Sequence, residues 1–440
     1  MRKVDAATFV RWACAAPGNV ASRLRPKVIA RRALKSLWVS LLALAIFFLA
    51  GSTFGTGDAI TQISKSHLYS VARWEVGNFL KKWTYAVQDL FGSEASIEEK
   101  LQAVQRYFAI SEEINALAFR VKQAEDGFTA EPELPRLQQE LLALRHQRGG
   151  LEADVEERLE AMITSELKRV DVSSSLLGVG FLWPPVDFRL DQVPKLLVVS
   201  SRDRIDTITT KLIKPDISHE DRETLESTID SRDLSSLVLS IGGLATYPSL
   251  IPEGRSLKGA LRLAAHEWTH HYLFFHPLGR GYADNGSMTT LNETVADVVG
   301  DEIGDAVYQR FFATPEERAV VPPVASDPDP NRFDFTAFMR ETRVETERLL
   351  AAGQVEDAEA YMERRRSELT DHGYFFRKIN QAFFAFNGSY ANRAGSVSPI
   401  GGQVSAVRDA SATLGDFLSA VAGYDSYESF EGDIQKLAGR

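Results

Sequence analysis

Four of the chain's eight histidines lie between His266 and His276. Residues 264–272 read AAHEWTHHY and contain the pattern H-E-x-x-H. On a helix, His266 and His270 lie one turn apart on the same face, so both imidazoles can bind one zinc ion. Glu267 lies beside them and can take a proton from water that the metal activates. This spacing predicts a zinc (Zn2+) site with its own general base.

A catalytic zinc usually has three protein ligands, and the third is expected on a helix that returns to the first one. Residues 291–297 read LNETVAD, and Glu293 follows His270 after a segment long enough for a loop. Asp297 lies one turn beyond Glu293 and can accept a hydrogen bond from the outer nitrogen of a ligand histidine. We therefore predict His266, His270 and Glu293 as ligands. The alternative is a helix with two structural histidines that carries the pattern by chance.

Several predicted elements surround these residues. Ser256 is a suitable N-cap for a helix over 256–276, and a second helix is predicted over 288–312. Short apolar runs predict two strands, and capping and periodicity predict further helices. The strands are 196–199 and 237–241, and the helices are 218–229, 333–352, 355–371, 373–390 and 402–421. Residues 176–440 are therefore predicted to form an α+β domain that is mostly helical, with a small sheet.

A helical region is predicted over 55–175, before this domain. Apolar stripes over 107–121 and 137–159 are separated by a linker at 127–135, which indicates an antiparallel helical pair. Such a pair commonly packs on its own domain, and the alternative is an arm that binds a partner.

The charge of the chain is unevenly distributed. Residues 1–36 carry a net charge of +8, whereas the remainder carries −18. Residues 37–54 read LWVSLLALAIFFLAGSTF without a charge, and as a helix they would be roughly 27 Å long, close to the thickness of a bilayer core. The sequence thus predicts a basic cytoplasmic tail, a single transmembrane anchor at 37–54 in the cell membrane, and a catalytic domain outside the cytoplasm. The alternatives are a cleaved signal peptide and a buried core helix.

Composition excludes several classes of protein. With 44% hydrophobic and 25% charged residues, the chain is neither wholly disordered nor a multi-span transporter. The single cysteine, Cys14, excludes an internal disulfide framework and a zinc cage built from cysteines. The net charge of −10 argues against nucleic acid as a partner.

The pattern H-E-x-x-H followed by N-E-x-x-A-D over 266–297 resembles the zinc site of the gluzincin metallopeptidases, the thermolysin-like group. The resemblance implies a zincin-like catalytic domain in which His266, His270 and Glu293 bind zinc. It also implies that Glu267 is the general base and acid and that Asp297 orients a ligand. The expected substrate is a peptide or protein.

In that group an edge strand pairs with extended substrate near the zinc. The candidate here spans 239–247, where Gly242 and Gly243 would let a substrate backbone approach closely. An ordinary turn after a core strand is the alternative. Gluzincin aminopeptidases place a glutamate beside this strand, but no acidic residue lies between Leu237 and Ile251. Recognition of a free amine is therefore in doubt.

The resemblance also implies a donor for the oxyanion, a Tyr or His downstream of the third ligand. The candidates are Tyr374, His372 and Tyr390, and Tyr390 is favoured because it follows a Gly-Ser turn. Residues 377–390 resemble, more loosely, a segment of predicted bacterial aminopeptidases. His271 points about 100° away from His270 on a helix and is interpreted as a packed residue.

Together these features predict a membrane-anchored, zinc-dependent peptidase. The alternative from another class is a membrane-anchored binding or scaffold protein on a degenerate metallopeptidase fold. A non-peptide amide or ester is a further possible substrate.

Overall fold

The computed structural model describes residues 58–71, 74, 97–125, 133–172, 174–176, 179–319, 333–388 and 398–438. Residues 54–440 form one compact unit, which is mostly helical with a small amount of sheet, as predicted. The α-helices are α1 Ala59–Ser64, α2 Ile97–Glu125, α3 Leu134–Gly149, α4 Glu152–Arg169, α5 His219–Asp230, α6 Leu257–Phe274, α7 Pro277–Arg280, α8 Gly286–Phe311, α9 Pro315–Ala319, α10 Phe335–Ala351, α11 Val355–Asp371, α12 Gln381–Asn387, α13 Ile400–Ala410, α14 Leu414–Val421 and α15 Tyr427–Ala438. The strands are β1 Ser174–Leu176, β2 Val179–Phe181, β3 Phe188–Asp191, β4 Lys195–Ser201, β5 Thr209–Ile213, β6 Leu234–Ser240 and β7 Ser249–Pro252.

The strands form three small sheets. Both predicted strands are present: β4 and β6 pair antiparallel, with Lys195 opposite Ser240 and Ser201 opposite Leu234. β5 joins the other edge of β4, which gives the order β5-β4-β6. β3 pairs in parallel with β7, immediately before α6, and β1 with β2 forms an antiparallel ribbon. The parallel pair was not predicted, because each of its strands is only four residues long.

The helices α6 and α8 pack against each other at the centre of the largest hydrophobic cluster. Their buried residues include Trp268, Leu261, Val295 and Ile303. The backbones approach closely at Gly300 and Gly304. A Cβ at Gly300 would come within 2.9 Å of the Cβ of His266, and one at Gly304 would overlap the backbone of Arg262. These two glycines therefore set the distance between the two helices that carry the candidate metal ligands.

The capping residues explain where several helices begin. Ser256 caps α6 as predicted, accepting from the Gly259 amide, and Asn285 caps α8 in the same way. The helix predicted over 373–390 is wrong in its first half, because Asn380 caps α12 and the preceding residues are not helical. The helix predicted over 402–421 is two helices, since Thr413 starts α14 with a capping box.

The predicted helical pair is present as α2 and α3, which share a small apolar cluster of their own, but the second predicted stripe, 137–159, is divided between α3 and α4. The following helix α4 contributes Leu159 and Ile163 to the same cluster as α6 and α8. α4 also binds β3 through side-chain carboxylates: Glu156 accepts a hydrogen bond from the Leu190 amide at 2.7 Å.

The prediction of a transmembrane anchor is not supported and is corrected here, together with the membrane localisation. Within the described residues, no helix combines the length and the apolar character needed to cross a bilayer. Even the apolar central helices carry charges along their length: α6 contains Lys258, Arg262 and Glu267, and α8 is interrupted by acidic residues about every turn. The predicted segment at 37–54 and the basic residues 1–36 lie outside the described residues.

Candidate metal centre

The donor atoms of His266, His270 and Glu293 converge between α6 and α8. The Nε2 atoms of the two histidines are 3.1 Å apart. Glu293 Oε2 lies 3.5 Å from His266 Nε2 and 3.6 Å from His270 Nε2. Among the residues that the structure describes, this is the one group of three or more His, Cys, Asp or Glu side chains that could hold a metal ion.

The outer nitrogen of each imidazole is held by an oxygen acceptor. His266 Nδ1 lies 3.0 Å from Asp297 Oδ1, and His270 Nδ1 lies 2.8 Å from Asn292 Oδ1. Asn292 Nδ2 donates to the Leu278 carbonyl at 3.3 Å, which identifies the amide oxygen as the atom that faces His270. Both Nδ1 atoms therefore carry the hydrogen, and both Nε2 lone pairs point into the space between the helices.

This arrangement fits a zinc ion. Three electron-pair donors that converge in a buried site repel one another unless a cation lies between them. Glu293 Oε2 is buried and accepts no hydrogen bond. Ligand atoms around a tetrahedral zinc at about 2.0–2.2 Å lie about 3.3–3.6 Å from one another, close to the distances between these three atoms. Two imidazoles and one carboxylate also leave a fourth position for water or substrate.

In the metal-free protein, protons take the place of the cation. Burial lowers the pKa of His266, but its hydrogen bond to Asp297 and the nearby carboxylate of Glu293 outweigh this effect and raise the pKa to about 10. Burial and the nearby carboxylates act on His270 in the same way, and its pKa is also raised. For Glu293 burial raises the pKa, yet the two histidines hold it well below the usual value. The pocket thus stabilises positive charge at its centre.

The predicted base, Glu267, is buried on α6 beside the two histidines. Burial is the largest influence on its carboxyl and raises its pKa, against the opposite effect of His266 and His270. The backbone of Gly243 lies directly against this carboxylate, because a Cβ on Gly243 would overlap Glu267 Oε1. A raised pKa suits a group that must accept and return a proton near neutral pH.

Two residues of the site were not assigned from the sequence. Asn292 directly precedes the predicted ligand Glu293. In the sequence, only this neighbouring position indicates that Asn292 could contact His270. Tyr282 lies in the segment between α7 and α8, and its hydroxyl donates to Glu293 Oε1 at 2.6 Å. Its ring meets His270 edge-on, with the centroids 6.1 Å apart. No spacing rule would have found Tyr282, because it comes from a loop.

The predicted substrate strand over 239–247 is only partly a strand. β6 ends at Ser240, and the residues that follow form a loop, which contains Gly242 and Gly243 and returns to pair Leu244 with Leu250. No hydrogen bond joins the backbones of Gly242 and Gly243 to other described residues. The backbone N–H and C=O groups of these two residues therefore have no hydrogen-bond partner in the part of the chain that the structure describes.

The outer edge of β6 itself is occupied by side chains from α5 and from the residues just before α12. The Ser236 amide donates to Asp230 at 2.8 Å, and the Val238 amide donates to Glu226 at 2.7 Å. The Ser236 carbonyl accepts from Lys378 and from Asn380. A peptide cannot add to this part of the edge unless these contacts break.

Of the predicted oxyanion donors, His372 and Tyr374 lie in an aromatic cluster and not in the metal group. Tyr390 lies outside the described residues. Tyr374 stacks on Phe335 with centroids 4.5 Å apart, and His372 stacks on Phe333 at 3.9 Å, in an aromatic cluster at the start of α10. His271 is packed as predicted: it is buried, and burial lowers its pKa to about 4. Its Nε2 therefore belongs to a neutral ring and donates to the Thr246 carbonyl at 2.8 Å.

Comparison of the chain with family models, with curated proteins and with solved structures gives no significant match. The site is therefore defined by its own geometry, as a buried group of two histidines and one glutamate with a second carboxylate beside it.

Proposed function

We propose that the protein is a zinc-dependent hydrolase that cleaves peptide bonds with Glu267 as general base and acid. The observation that carries the proposal is the convergence of His266 Nε2, His270 Nε2 and Glu293 Oε2 within 3.6 Å, while their outer atoms are held by Asp297, Asn292 and Tyr282. A resemblance to the gluzincin zinc site supports the same assignment.

A zinc ion held by these residues would act as a Lewis acid that makes water acidic and polarises the scissile carbonyl. Glu267 takes one proton from the attacking water, whose oxygen forms a bond to the carbonyl carbon. The same carboxyl then gives this proton to the leaving nitrogen as the C–N bond breaks. Asp297 and Asn292 keep the two imidazoles in the tautomer that presents Nε2 to the metal.

The loop at Gly242 and Gly243 is the proposed place for the substrate's main chain. It lies against Glu267, and neither glycine places a side chain between a ligand and the backbone. Because side chains fill the edge of β6 at Ser236 and Val238, pairing between substrate and protein would be restricted to the residues that follow Val238.

The test compares the full-length wild type with Glu267→Gln and His266→Ala. We expect about one zinc per chain in the wild type and in Glu267→Gln, and much less in His266→Ala. Against a peptide library, Glu267→Gln should lose 10²-fold to 10⁴-fold in rate, which is the usual contribution of a general base. Wild-type protein that is folded and free of zinc at neutral pH would refute the metal site. Bound zinc without any turnover difference between wild type and Glu267→Gln would instead favour the binding or scaffold function.

A further inference from the structure

We infer that His271 is a positioning residue that holds the Gly242–Gly243 loop over the catalytic carboxylate. This inference deepens the proposed function and rests on it. His271 follows directly after a candidate metal ligand, but its side chain points to another face of α6 and contacts the loop between β6 and β7.

The Gly242–Gly243 loop packs against one face of α6. Leu263, Glu267 and His271 are four residues apart, so their side chains form a row along the helix. A Cβ on Gly242 would contact Leu263 at 3.7 Å, and a Cβ on Gly243 would overlap Glu267. The ligand pair His266 and His270 forms a neighbouring row. The helix thus carries two candidate metal ligands on one face, and its adjacent face contacts the loop.

His271 forms the last contact of the row. Its Nε2 donates to the Thr246 carbonyl at 2.8 Å, and both residues are buried. The Tyr247 ring meets the imidazole edge-on, with centroids 5.4 Å apart. This hydrogen bond joins the loop to α6.

Among the described residues, the remaining hydrogen bonds of the loop begin at Leu244, directly after Gly243, and none of them is made by the two glycines. Leu244 exchanges two hydrogen bonds with Leu250, at 3.0 and 2.9 Å, and Thr246 Oγ1 donates to the Pro248 carbonyl at 2.7 Å. The segment between Ser240 and Leu244 therefore depends on its two ends for its position. The end at β6 is fixed by the sheet. The end at Leu244 is fixed by its bridge to Leu250 and is linked to His271 through Thr246, whose amide donates to the Leu244 carbonyl at 2.8 Å.

The consequence concerns both substrate binding and proton transfer. If Thr246 moves away from α6, Gly243 moves away from Glu267, and the main-chain groups that would bind substrate move with it. A displacement of about 1 Å in such a group can cost about 10²-fold in rate. His271 acts through the loop, and it does not touch the metal or the substrate.

The test uses His271→Leu, His271→Gln and a control, His276→Leu, in the full-length zinc-loaded protein. The His276 ring packs against Tyr272 beyond the end of α6, with the centroids 4.5 Å apart, and none of its ring contacts within the described residues is with the loop. The glutamine amide can donate to the Thr246 carbonyl, whereas leucine cannot. The readouts are zinc per chain, hydrogen exchange of the amides in 241–247, and kcat and KM on a peptide that the wild type cleaves.

We expect His271→Leu to keep about one zinc per chain, because the three ligands are untouched. Its loop amides should exchange at least about tenfold faster, since a buried carbonyl loses its donor. Its kcat/KM should fall about tenfold or more, and His271→Gln should restore exchange and kcat/KM toward wild type. If His271→Leu does not fold, His271→Asn replaces it, because its shorter amide ends before the carbonyl.

Loop exchange in the variant within twofold of the wild type would overturn the inference, as would an equal effect of His276→Leu. Failure of the proposed function is a separate result. If the wild type binds zinc but cleaves no peptide, hydrogen exchange still decides whether His271 holds the loop.

Discussion

Asn292 offers a sharp test of the metal site, because it contacts a ligand and not the metal. Its Oδ1 accepts from His270 Nδ1 at 2.8 Å inside the protein. The substitution Asn292→Leu keeps a similar volume and removes the acceptor. In the metal-free variant, the neutral form of the imidazole can carry its hydrogen on Nε2, where Glu293 Oε2 lies 3.6 Å away. Zinc binding then has to return this proton to an Nδ1 that has no partner.

The expected magnitude follows from that proton. Leaving a buried N–H without an acceptor costs about 1–3 kcal/mol, which corresponds to a loss of roughly 5-fold to 150-fold in zinc affinity. The range agrees with the 10-fold to 100-fold loss that is typical when the outer partner of a metal ligand is removed. Asn292→Asp keeps an acceptor oxygen at the same position and should retain most of the affinity.

Zinc affinity is measured by competition with a chelator of known affinity at fixed pH. Thr294→Val is the matched control, because Thr294 is buried on the same helix and its hydroxyl donates to the Thr290 carbonyl within that helix. The control should bind zinc like the wild type. An Asn292→Leu protein that is folded and binds zinc within twofold of the wild type would show that Asn292 does not fix the tautomer of His270.

Three further predictions concern the surroundings of the metal. Gly243→Ala should lower the hydrolysis rate by tenfold or more at unchanged zinc content, because its Cβ would overlap Glu267. In the control Gly242→Ala, the Cβ meets only ordinary contacts at 3.6 and 3.7 Å, so this variant should hydrolyse like the wild type. Equal rates for the two variants would contradict the packing of this loop. Tyr282→Phe should weaken zinc binding by about 10-fold to 100-fold, because the hydroxyl that holds Glu293 Oε1 is lost; unchanged affinity in a chelator competition would exclude that role. Zinc binding at pH 7.5 should release at least one proton, because the pKa of His266 in the metal-free protein is about 10. Zinc affinity should therefore rise about tenfold per pH unit for each proton displaced, up to that pKa. Calorimetry in buffers of different ionisation enthalpy measures the proton release, and zinc binding without proton release would contradict the raised pKa of His266.

The metal ligands could be predicted from the sequence because the spacing of residues on a helix is a local property. His266 and His270 share a face whenever 264–272 is helical, and Asp297 follows Glu293 by one turn for the same reason. Capping residues likewise marked the start of α6 at Ser256. Strands β4 and β6 were also predictable, because their apolar runs are long enough to read as strands and both are largely buried.

Other predictions failed where long-range packing decides the outcome. The residues before Asn380 were predicted to be helical, but they are not, and Lys378 and Asn380 instead donate to the Ser236 carbonyl at the edge of β6. The segment expected to bind substrate, 239–247, is a strand only as far as Ser240, and side chains already occupy the preceding edge at Ser236 and Val238. The charge pattern that indicated a membrane anchor lies in residues that the structure does not describe.

The sequence alone determined which residues could bind a metal, because their spacing fixes them on one helical face. Only the tertiary structure decided that the two helices approach closely enough at Gly300 and Gly304 for three donor atoms to meet. It also selected Asn292 and Tyr282 as partners of the ligands and brought the Gly242–Gly243 loop against Glu267. These contacts join segments that are separated along the chain, and packing, not local sequence pattern, determines which of them meet.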